Sequence, residues 1–570
     1  MIEVLLGISY IFIFCLCIGM LAYKIGGRFL ELPQPGVTGL VVAGAITITV
    51  MTGWFSLLMP ISGMFHVLML VVAVVSAACY RKDLMRLFGG VKPDATGMLC
   101  MAAVALAVAY AASRGSFHTD TGIYHAAAIR QYEEYGCLKG AANIQTHYGY
   151  NSSYLGFCAF FSLSFLLDSP LHVTTAFLMV LFSVDALLRL RDFRSRSVHC
   201  ADACRIGTLL YVMMNYTGAI SPATDYGTML MTAYFLTCWA GLAETDDNPD
   251  ECGVLAIFGL FLTTMKLSAA MCTIVSVFPI FLYLKNKNHK RILFFICLGL
   301  ICFGFYPVRN VVLSGWLFYP FEAIDLFDVK WKLPREYSLL DSNQIKVWGR
   351  CLFDVDKIDM PVSDWLPIWW EAQEHYDQML MYGCVLSVLL IALTFAIRRM
   401  RADVMVLYLT CGANLGIWFF TAPFVRYGLV FLMTIPLLAL TGFCDAMRDV
   451  DKRSIKEGNL AQKLCGAAGF ALSLSIMICF CARIDHYVMD DLVFIKHEAS
   501  APYYACAKPY DSPQMQGRVM NDSGVTVYYS VDEEEKNSYY VSPSTCYGSM
   551  LDRCVPIGDD VRDGFKPVSD

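Results

Sequence analysis

The sequence predicts an all-α polytopic membrane protein with about 14 transmembrane helices. Of its 570 residues, 57% are hydrophobic and only 16% are charged, and its mean hydropathy is +0.52. This composition is typical of multi-pass membrane proteins. Apolar runs of about 17–23 residues, each long enough to cross ~30 Å of hydrocarbon, recur along the chain. The net charge of −6 is small, and no cluster of Lys and Arg interleaved with aromatic residues indicates a nucleic acid partner.

The candidate spans follow from these apolar runs. They lie at about 4–23, 37–58, 62–79, 97–112, 172–189, 204–220, 228–244, 253–266, 267–284, 292–308, 379–397, 402–420, 428–446 and 460–482.

Basic residues fall in alternate loops between these spans. Short cytoplasmic loops carry the excess of Lys and Arg, so these loops are predicted to be cytoplasmic, and loops 113–171 and 309–378 are predicted to carry interfacial helices on the outer face. The segment 152–168 is apolar, but if it crossed, the basic run 189–196 would be external. We therefore expect it at the outer interface. The basic groups are Lys24 with Arg28, Arg81 with Lys82 and Arg86, and the runs 189–196, 285–291, 398–401 and 448–456.

Three regions follow from this organisation: an N-terminal four-helix membrane segment at 1–112, a membrane core at 113–482 and an extracytoplasmic C-terminal domain at 483–570. The last region alternates polar and aromatic residues between turn residues, which predicts a small α/β or β domain. Cys546 and Cys554 lie in it, and either a disulfide or two thiols fits an external compartment.

The stretch 115–153 is polar and lies between apolar segments. Asp120 or Thr121 can cap a helix there, and Gly136 can take the left-handed conformation that ends it. Glu133 and Glu134 fall in the last turn, where the helix dipole disfavours negative charge. Local helix stability therefore does not explain these two carboxylates.

Ionisable residues from several outer loops are predicted to converge on one cavity, because an ionisable group near membrane depth is costly and is a functional candidate. Cations there could hold phosphate oxygens, and a carboxylate could take a proton from an acceptor hydroxyl. The residues are Asp120, His118, His125, Arg130, Glu133, Glu134, Asp225, Lys266, Arg309 and Arg426.

Each of these residues also has a structural interpretation. Asp120 could be only a helix cap, Lys266 a snorkelling residue, and Arg309 and Arg426 interfacial anchors. The histidine spacing does not predict a zinc site, and no metal ligand or cofactor is predicted. A divalent cation on Asp120 with a second carboxylate is the alternative. Sequence signatures of soluble hydrolases, P-loop proteins, zincins and dinucleotide-binding folds are absent.

The order of these features resembles the GT-C class of membrane glycosyltransferases, which take sugars from polyprenyl-phosphate carriers. The hairpin GVLAIFGLFLTTMKLSAAM at 253–271 is similar to a glycine and lysine pattern common in that class. More closely, five motifs resemble those of an uncharacterised bacterial membrane-protein family found with surface-polysaccharide genes. These motifs are DTGIYH (120–125), GYNSS (149–153), SPATD (221–225), RNVVLSGWLFYP (309–320) and APFVRYG (422–428).

The resemblance implies a glycosyltransferase of the bacterial inner membrane whose site faces the periplasm or exterior. It would move a sugar or oligosaccharide unit from a polyprenyl phosphate or diphosphate to an envelope glycan or lipid-linked acceptor, with membrane lipids as its surroundings and no nucleic acid partner. By this resemblance Asp120 would be the general base or would orient the acceptor, and Lys266, Arg309 and Arg426 would bind the carrier phosphate. Glu133 and His125 are the further candidate catalytic residues, and Arg130, Tyr124, Asn151 and Asp225 are the further candidate binding residues.

Two other functions stay open. A polysaccharide polymerase of O-units or capsule would need the same carrier and a longer acceptor groove, which loop 309–378 with its six Trp residues could line. A flippase or transporter of lipid-linked oligosaccharides would carry its charges near the membrane midplane and show an inverted repeat.

Overall fold

Helices make up most of the chain in the computed structural model. The described residues are 1–89, 94–114, 118–167, 170–190, 199–242, 248–397, 400–453, 460–499, 515–520, 524–531, 539 and 541–568. Their α-helices are α1 Ile2–Gly26, α2 Val37–Phe55, α3 Gly63–Cys79, α4 Arg81–Gly89, α5 Ala95–Arg114, α6 Ala126–Glu134, α7 Ser153–Phe161, α8 Thr174–Leu190, α9 Cys200–Asn215, α10 Thr224–Gly241, α11 Pro249–Met265, α12 Val277–Lys285, α13 His289–Phe303, α14 Phe305–Ser314, α15 Arg335–Gly349, α16 Val362–Glu371, α17 His375–Ile397, α18 Ala402–Thr421, α19 Val425–Arg453 and α20 Leu460–Glu498.

Nine helices of the described chain are long and apolar enough to cross a membrane, and a tenth is gained if α3 and α4, which meet at a bend of 71°, count as one span. The predicted number of 14 spans is not confirmed. The four remaining predictions, at 172–189, 204–220, 228–244 and 253–266, correspond to α8–α11, which have only 16 to 18 residues. These helices are largely buried among their neighbours. Since protein surrounds them, they can carry Thr and Asp residues that lipid would penalise.

The first two helices pack unusually closely because glycine replaces side chains at their contact. A Cβ atom on Gly19 would lie 1.8 Å from the Leu40 carbonyl oxygen, and one on Gly44 would lie 1.8 Å from the Cys15 carbonyl oxygen. Small residues allow helix backbones to approach in this way in membrane proteins. The backbones of α1 and α2 are therefore in direct contact at these glycines.

The apolar segment at 152–168 contains only the nine-residue helix α7. At 1.5 Å per residue, this helix is about 14 Å long and is too short to cross a bilayer. Every residue of α7 is buried. Helix α7 therefore packs inside the bundle, whereas Phe165 and Leu166, which follow it in the segment, are exposed. The expected position of the segment at the outer interface, in or dipping into the membrane, stays a prediction.

Helix α2 links two opposite ends of the bundle, about 28 Å apart. At one end, which we call the basic end, the predicted cytoplasmic loops meet one another. At the other, which we call the site end, Cys137 N–H donates to Ser56 O (2.7 Å) and Ile61 N–H to Tyr132 O (2.8 Å). Parts of the basic runs, at 191–196, 398–399 and 454–456, lie outside the described residues. The contacts of the basic end join Lys24 to Asp83, Thr38 to Asp185 and Arg291 to Asp250.

The C-terminal region contains strands, as predicted. The strands are β1 Met515–Val519, β2 Thr526–Ser530, β3 Ser544–Thr545, β4 Cys554–Pro556 and β5 Phe565–Pro567. The first three form one sheet in the order β1-β2-β3, with β1 and β2 antiparallel and β2 and β3 parallel, and β4 and β5 form an antiparallel pair. The predicted boundary at 482 falls inside α20, which is about 58 Å long and exceeds a ~30 Å hydrocarbon core.

This strand region shares a hydrophobic core with the outer stretch predicted at 115–153. Val527, Leu551 and Phe565 pack in one cluster with Tyr124 and Ile144. Cys546 and Cys554 are two thiols and do not form a disulfide. The C-terminal region is thus built onto the site end through apolar packing.

Candidate functional site

The helix that carries Asp120 begins before this residue and continues through a π-helical turn, Thr121–His125, into α6. The Asp120 side chain makes no capping hydrogen bond, so the interpretation of Asp120 as only a helix cap is wrong. Gly136 ends the helix at φ +76°, as predicted. A Cβ atom there would lie 2.4 Å from the Ser56 carbonyl oxygen, so the position also requires glycine for space.

Arg426, at the start of α19, joins two carboxylates that are remote in sequence. Its Nη2 atom lies 3.3 Å from Asp120 Oδ2, and its Nε atom lies 3.3 Å from Asp225 Oδ2. A third contact runs from Nη1 to Nε2 of His118 at 3.0 Å. The side chain of Arg426 is 41% exposed, so its guanidinium is held by protein on one side and open on the other.

Lys266 lies at the tip of a tight hairpin between α11 and the 3-10 helix Leu267–Ser276. The two arms approach closely, because a Cβ atom on Gly259 would lie 2.5 Å from the Cys272 carbonyl oxygen. The Lys266 ammonium group pairs with Asp225 and lies 3.6 Å from the ring centroid of Tyr427. Asp225 in turn lies in the first turn of α10, where the helix dipole favours a carboxylate.

We call Asp120, Asp225, Lys266 and Arg426 the ionic cluster. Two formal negative and two formal positive charges balance in it. Asp120, Asp225 and His118 each offer a ligand atom within 4.8 Å of the others, which is a spacing that a cation could use. Since Lys266 and Arg426 already neutralise these carboxylates, a divalent ion would have to displace both cations. A divalent cation at this position therefore stays a prediction, and its binding would require Lys266 and Arg426 to move away from the two carboxylates.

Two histidines adjoin the ionic cluster, and both are neutral at pH 7. Burial lowers the pKa of His118, and the nearby Arg426 acts in the same direction. Nδ1 of His118 accepts a hydrogen bond from the Asp120 backbone N–H at 3.1 Å and lies 3.7 Å from Asp120 Oδ2. Burial lowers the pKa of His125 to about 3. Its Nδ1 lies 3.4 Å from Thr121 Oγ1 and its Nε2 lies 3.5 Å from Thr224 Oγ1, so both ring nitrogens face hydroxyl groups next to the cluster.

Arg309 and Asn151 lie together, outside the ionic cluster. Arg309 donates from Nε to Asn151 Oδ1 (2.9 Å), hydrogen-bonds Ser56 Oγ and stacks over the Tyr132 ring at 4.2 Å. Arg309 is only 1% exposed. No described contact joins it to Asp120 or Asp225, and the expected phosphate-binding role of Arg309 and Asn151 is not supported. These residues instead fasten α14 to the stretch that precedes α7.

Glu133 and Arg130 also lie apart from the ionic cluster. Glu133 is about 20 Å from Asp120 along the helix axis. Ser162 Oγ donates to one Glu133 oxygen (2.5 Å) and Tyr539 Oη to the other (3.2 Å), while Arg130 pairs with Glu133 at 3.4 Å and with Glu134 at 2.6 Å. Burial raises the pKa of Glu133 against the opposing effect of Arg130. The expectation that Glu133 is catalytic and Arg130 binds substrate is therefore not supported.

Tyr124 forms part of an aromatic wall beside the cluster. Its ring stacks on His147 with centroids 5.1 Å apart and meets Tyr150 edge-on at 5.6 Å. Tyr150 and Tyr319 both donate to the buried Asp341. Burial raises the pKa of Tyr124 well above its ordinary value, so its hydroxyl stays protonated. Tyr124 therefore serves as an aromatic surface.

Sequence reasoning missed the groups that hold the π-helical turn in place. Gln145 Nε2 donates to Ile123 O at 2.9 Å, and Cys546 Sγ contacts the same carbonyl at 2.9 Å. Gln145 Oε1 accepts from Thr545 Oγ1 and from Cys546 N–H. No local pattern marks a contact between residues 400 positions apart. Tyr427 also contacts the cluster, and its position directly after Arg426 in the sequence could have indicated this contact.

The fold and the ionic cluster together characterise the chain as a helical protein with long apolar helices and a charged site at one end. In its described part, the chain has nine or ten helices long and apolar enough to cross a membrane and gathers opposite charges at one end. It belongs to the family described as Domain of unknown function (DUF8201), whose model matches residues 1–433. The match includes the whole ionic cluster and ends before the strand region. No curated protein and no solved structure matches the chain.

Proposed function

We propose that the protein is a membrane glycosyltransferase that moves a sugar or oligosaccharide unit from a polyprenyl-phosphate or diphosphate carrier to an envelope glycan acceptor on the non-cytoplasmic side. The observation that carries the proposal is Arg426, which bridges Asp120 and Asp225 and is still 41% exposed. A partly exposed guanidinium beside a carboxylate combines a phosphate-binding group with a proton acceptor.

The reaction would begin with an exchange of partners. The carrier phosphate would take donors of Arg426 and Lys266, which weakens the hold of Arg426 on Asp120. Asp120 could then accept the proton of the acceptor hydroxyl as its oxygen attacks the anomeric carbon. The bond from that carbon to the phosphate oxygen breaks, and the carrier phosphate leaves with the electron pair while the cations stabilise its charge.

A binding measurement on the full chain tests this proposal. Replacing Arg426 by Ala should weaken the binding of a polyprenyl monophosphate in nanodiscs at least tenfold, because a charge-assisted contact is lost. Arg426→Lys should have a smaller effect, since it keeps the charge without the fork of donors. The matched control is Arg335→Ala, which removes an exposed arginine paired with Glu322. Unchanged affinity in Arg426→Ala, or equal loss in the control, would contradict the proposal.

A polymerase is the related alternative, and the position of α16 is the reason to keep it. Trp369 is only 2% exposed, and its Nε1 donates to Pro423 O at 3.0 Å, three residues before Arg426. The contact anchors α16, which belongs to the loop predicted to line an acceptor groove, beside the ionic cluster. The length of the glycan product formed from a lipid-linked repeat unit distinguishes the two, because a polymerase releases long chains and a single-unit transferase does not.

A transporter is the candidate from another class, and the hairpin tip at Lys266 favours it, since transporters bind ligands where apolar helices are interrupted. The two classes differ in whether a covalent bond forms. Supplying reconstituted protein with a labelled lipid-linked sugar and an acceptor separates them. Label that crosses the bilayer but stays on the carrier would indicate transport, and free polyprenyl phosphate would indicate transfer.

A further inference from the structure

A cavity of about 190 Å³ lies at the basic end of the bundle, opposite the ionic cluster, between α4 and the adjoining ends of α1 and α2. Met20, Leu40 and Leu87 form its apolar part, and Lys24, Asp83 and Arg86 contribute charge. Liquid water occupies ~30 Å³ per molecule, so the cavity has room for a small polar group such as a phosphodiester. The mixture of apolar and charged walls suits an amphipathic ligand.

The two cations of this cavity differ in their partners. Lys24 Nζ lies 3.0 Å from Asp83 Oδ2, which holds the ammonium group in place. Arg86 forms no ion pair with a carboxylate in the part of the chain that the structure describes. The cavity thus has one more positive than negative charge. An anion can bind there without displacing an existing partner of Arg86.

Helix α4 has the properties of a helix that lies on a membrane surface. It turns away from α3 by 71°, so α4 runs across the direction of a candidate span. Arg81, Lys82 and Arg86 are exposed on it together with the large apolar residues Met85 and Phe88. Exposed apolar and basic residues on one short helix are typical of interfacial helices that associate with anionic lipids.

We propose that this cavity binds the phosphate of an anionic phospholipid. Arg86 and Lys24 contact the phosphate oxygens, and the glycerol and first acyl carbons lie against Met20, Leu40 and Leu87. A free phosphate offers the same oxygens, but it would leave the apolar wall and the exposed apolar residues of α4 unused. The site lies far from the ionic cluster and does not depend on the proposed transfer reaction.

The test measures the binding of fluorescent phosphatidylglycerol to the purified full chain in phosphatidylcholine nanodiscs. Removing one basic residue near a lipid surface reduces affinity about fivefold, so Arg86→Gln should weaken binding about fivefold. Leu87→Trp fills the apolar wall, leaves every charge in place and should weaken binding as well. The control is Lys290→Gln, which removes an exposed basic residue at the same end but outside the cavity.

Four outcomes would overturn the assignment. Unchanged phosphatidylglycerol affinity in both Arg86→Gln and Leu87→Trp would remove the site. An equal loss in Lys290→Gln would show that general surface charge attracts the lipid. Loss in Arg86→Gln alone would leave the apolar wall without a role and contradict lipid binding. Displacement of the lipid from the wild type by millimolar inorganic phosphate would assign the cavity to a soluble anion.

Discussion

The helix from residue 119 to Glu134 carries a carboxylate near each end, and the two carboxylates have opposite surroundings. Asp120 has a side chain that is 24% exposed and pairs with Arg426, 306 residues away. Glu133 is 4% exposed and pairs with Arg130, three residues away on the same helix. A sequence pattern treats the two residues alike, but their surroundings differ. We call the cluster around Asp120 open and the cluster around Glu133 sealed, after the exposure of the two carboxylates.

The difference in exposure bears on which carboxylate can exchange its protein partner for a ligand. An ion pair that is partly open can exchange a protein partner for a ligand at small cost, because water already contacts both groups. In the pair that we call sealed, Arg130 is 29% exposed but Glu133 is buried, so Glu133 cannot exchange its partner without leaving a buried charge uncompensated. The cluster around Asp120 is therefore suited to ligand exchange, and the one around Glu133 is suited to holding the C-terminal region through Tyr539.

The largest effect on stability is expected for Asp225→Asn. This change removes the 5% exposed carboxylate that pairs with both Lys266 and Arg426, and the loss of one partner from a largely buried ion pair costs about 3–5 kcal/mol. The free energy of unfolding in detergent measures it. The double variant Asp225→Asn with Lys266→Met should recover most of the loss. As a control, Asp552→Asn breaks the pair with Arg518, in which both side chains are exposed, and should cost less than ~1 kcal/mol. A stable Asp225→Asn protein would contradict the importance of the pair.

The second prediction concerns pH and His125. Its pKa is lowered to about 3 by burial, so the unfolded state binds a proton first as pH falls below about 6.5. The stabilisation is fully present above that value and is lost between about pH 6.5 and 3, at up to ~1.4 kcal/mol per pH unit. His125→Gln should remove this slope. Unfolding midpoints from pH 7.5 to 4 check it, and parallel curves for the two proteins would contradict it.

The third prediction tests the sealed cluster. Glu133→Gln removes a buried charge that accepts from Ser162 and Tyr539, at a cost of about 1–3 kcal/mol. The C-terminal region should then be cleaved faster in limited proteolysis, while binding of a polyprenyl phosphate stays unchanged. Glu134→Gln, at the more exposed neighbour, should change neither the rate of cleavage nor the binding of polyprenyl phosphate. Loss of carrier binding with unchanged protection of the C-terminal region would place Glu133 in the functional site instead.

The convergence of Asp120, Asp225, Lys266 and Arg426 was predictable from sequence. Each is an ionisable residue at the end of an apolar run, and the ends of such runs meet at the two faces of a helical bundle. The same rule selected Arg309 and Glu133. It could not exclude them, because their partners Ser56 and Ser162 are ordinary polar residues whose proximity depends on tertiary packing.

The number of long helices was predictable only in part, and the reason again lies in tertiary packing. Hydropathy marks a helix as apolar but does not show whether lipid or protein surrounds it. Helix α10 has buried Thr228 and Thr232 and packs inside the bundle, so it needs neither the length nor the hydropathy of a span. The contact of Cys546 with Ile123 was equally hidden, since it joins a strand region to a helical turn more than 400 residues away.

The smallest effect on stability is expected for Asp120→Asn, and it separates the two carboxylates most sharply. Asp120 is partly exposed and Arg426 keeps Asp225 as a partner, so the loss should be below ~1 kcal/mol. Release of polyprenyl phosphate should nevertheless stop, because an amide cannot accept the acceptor proton. Unfolding and turnover are measured on the same preparation. A folded Asp120→Asn protein with normal turnover would remove Asp120 as the base, and a loss of stability as large as that of Asp225→Asn would place Asp120 among the structural ion pairs.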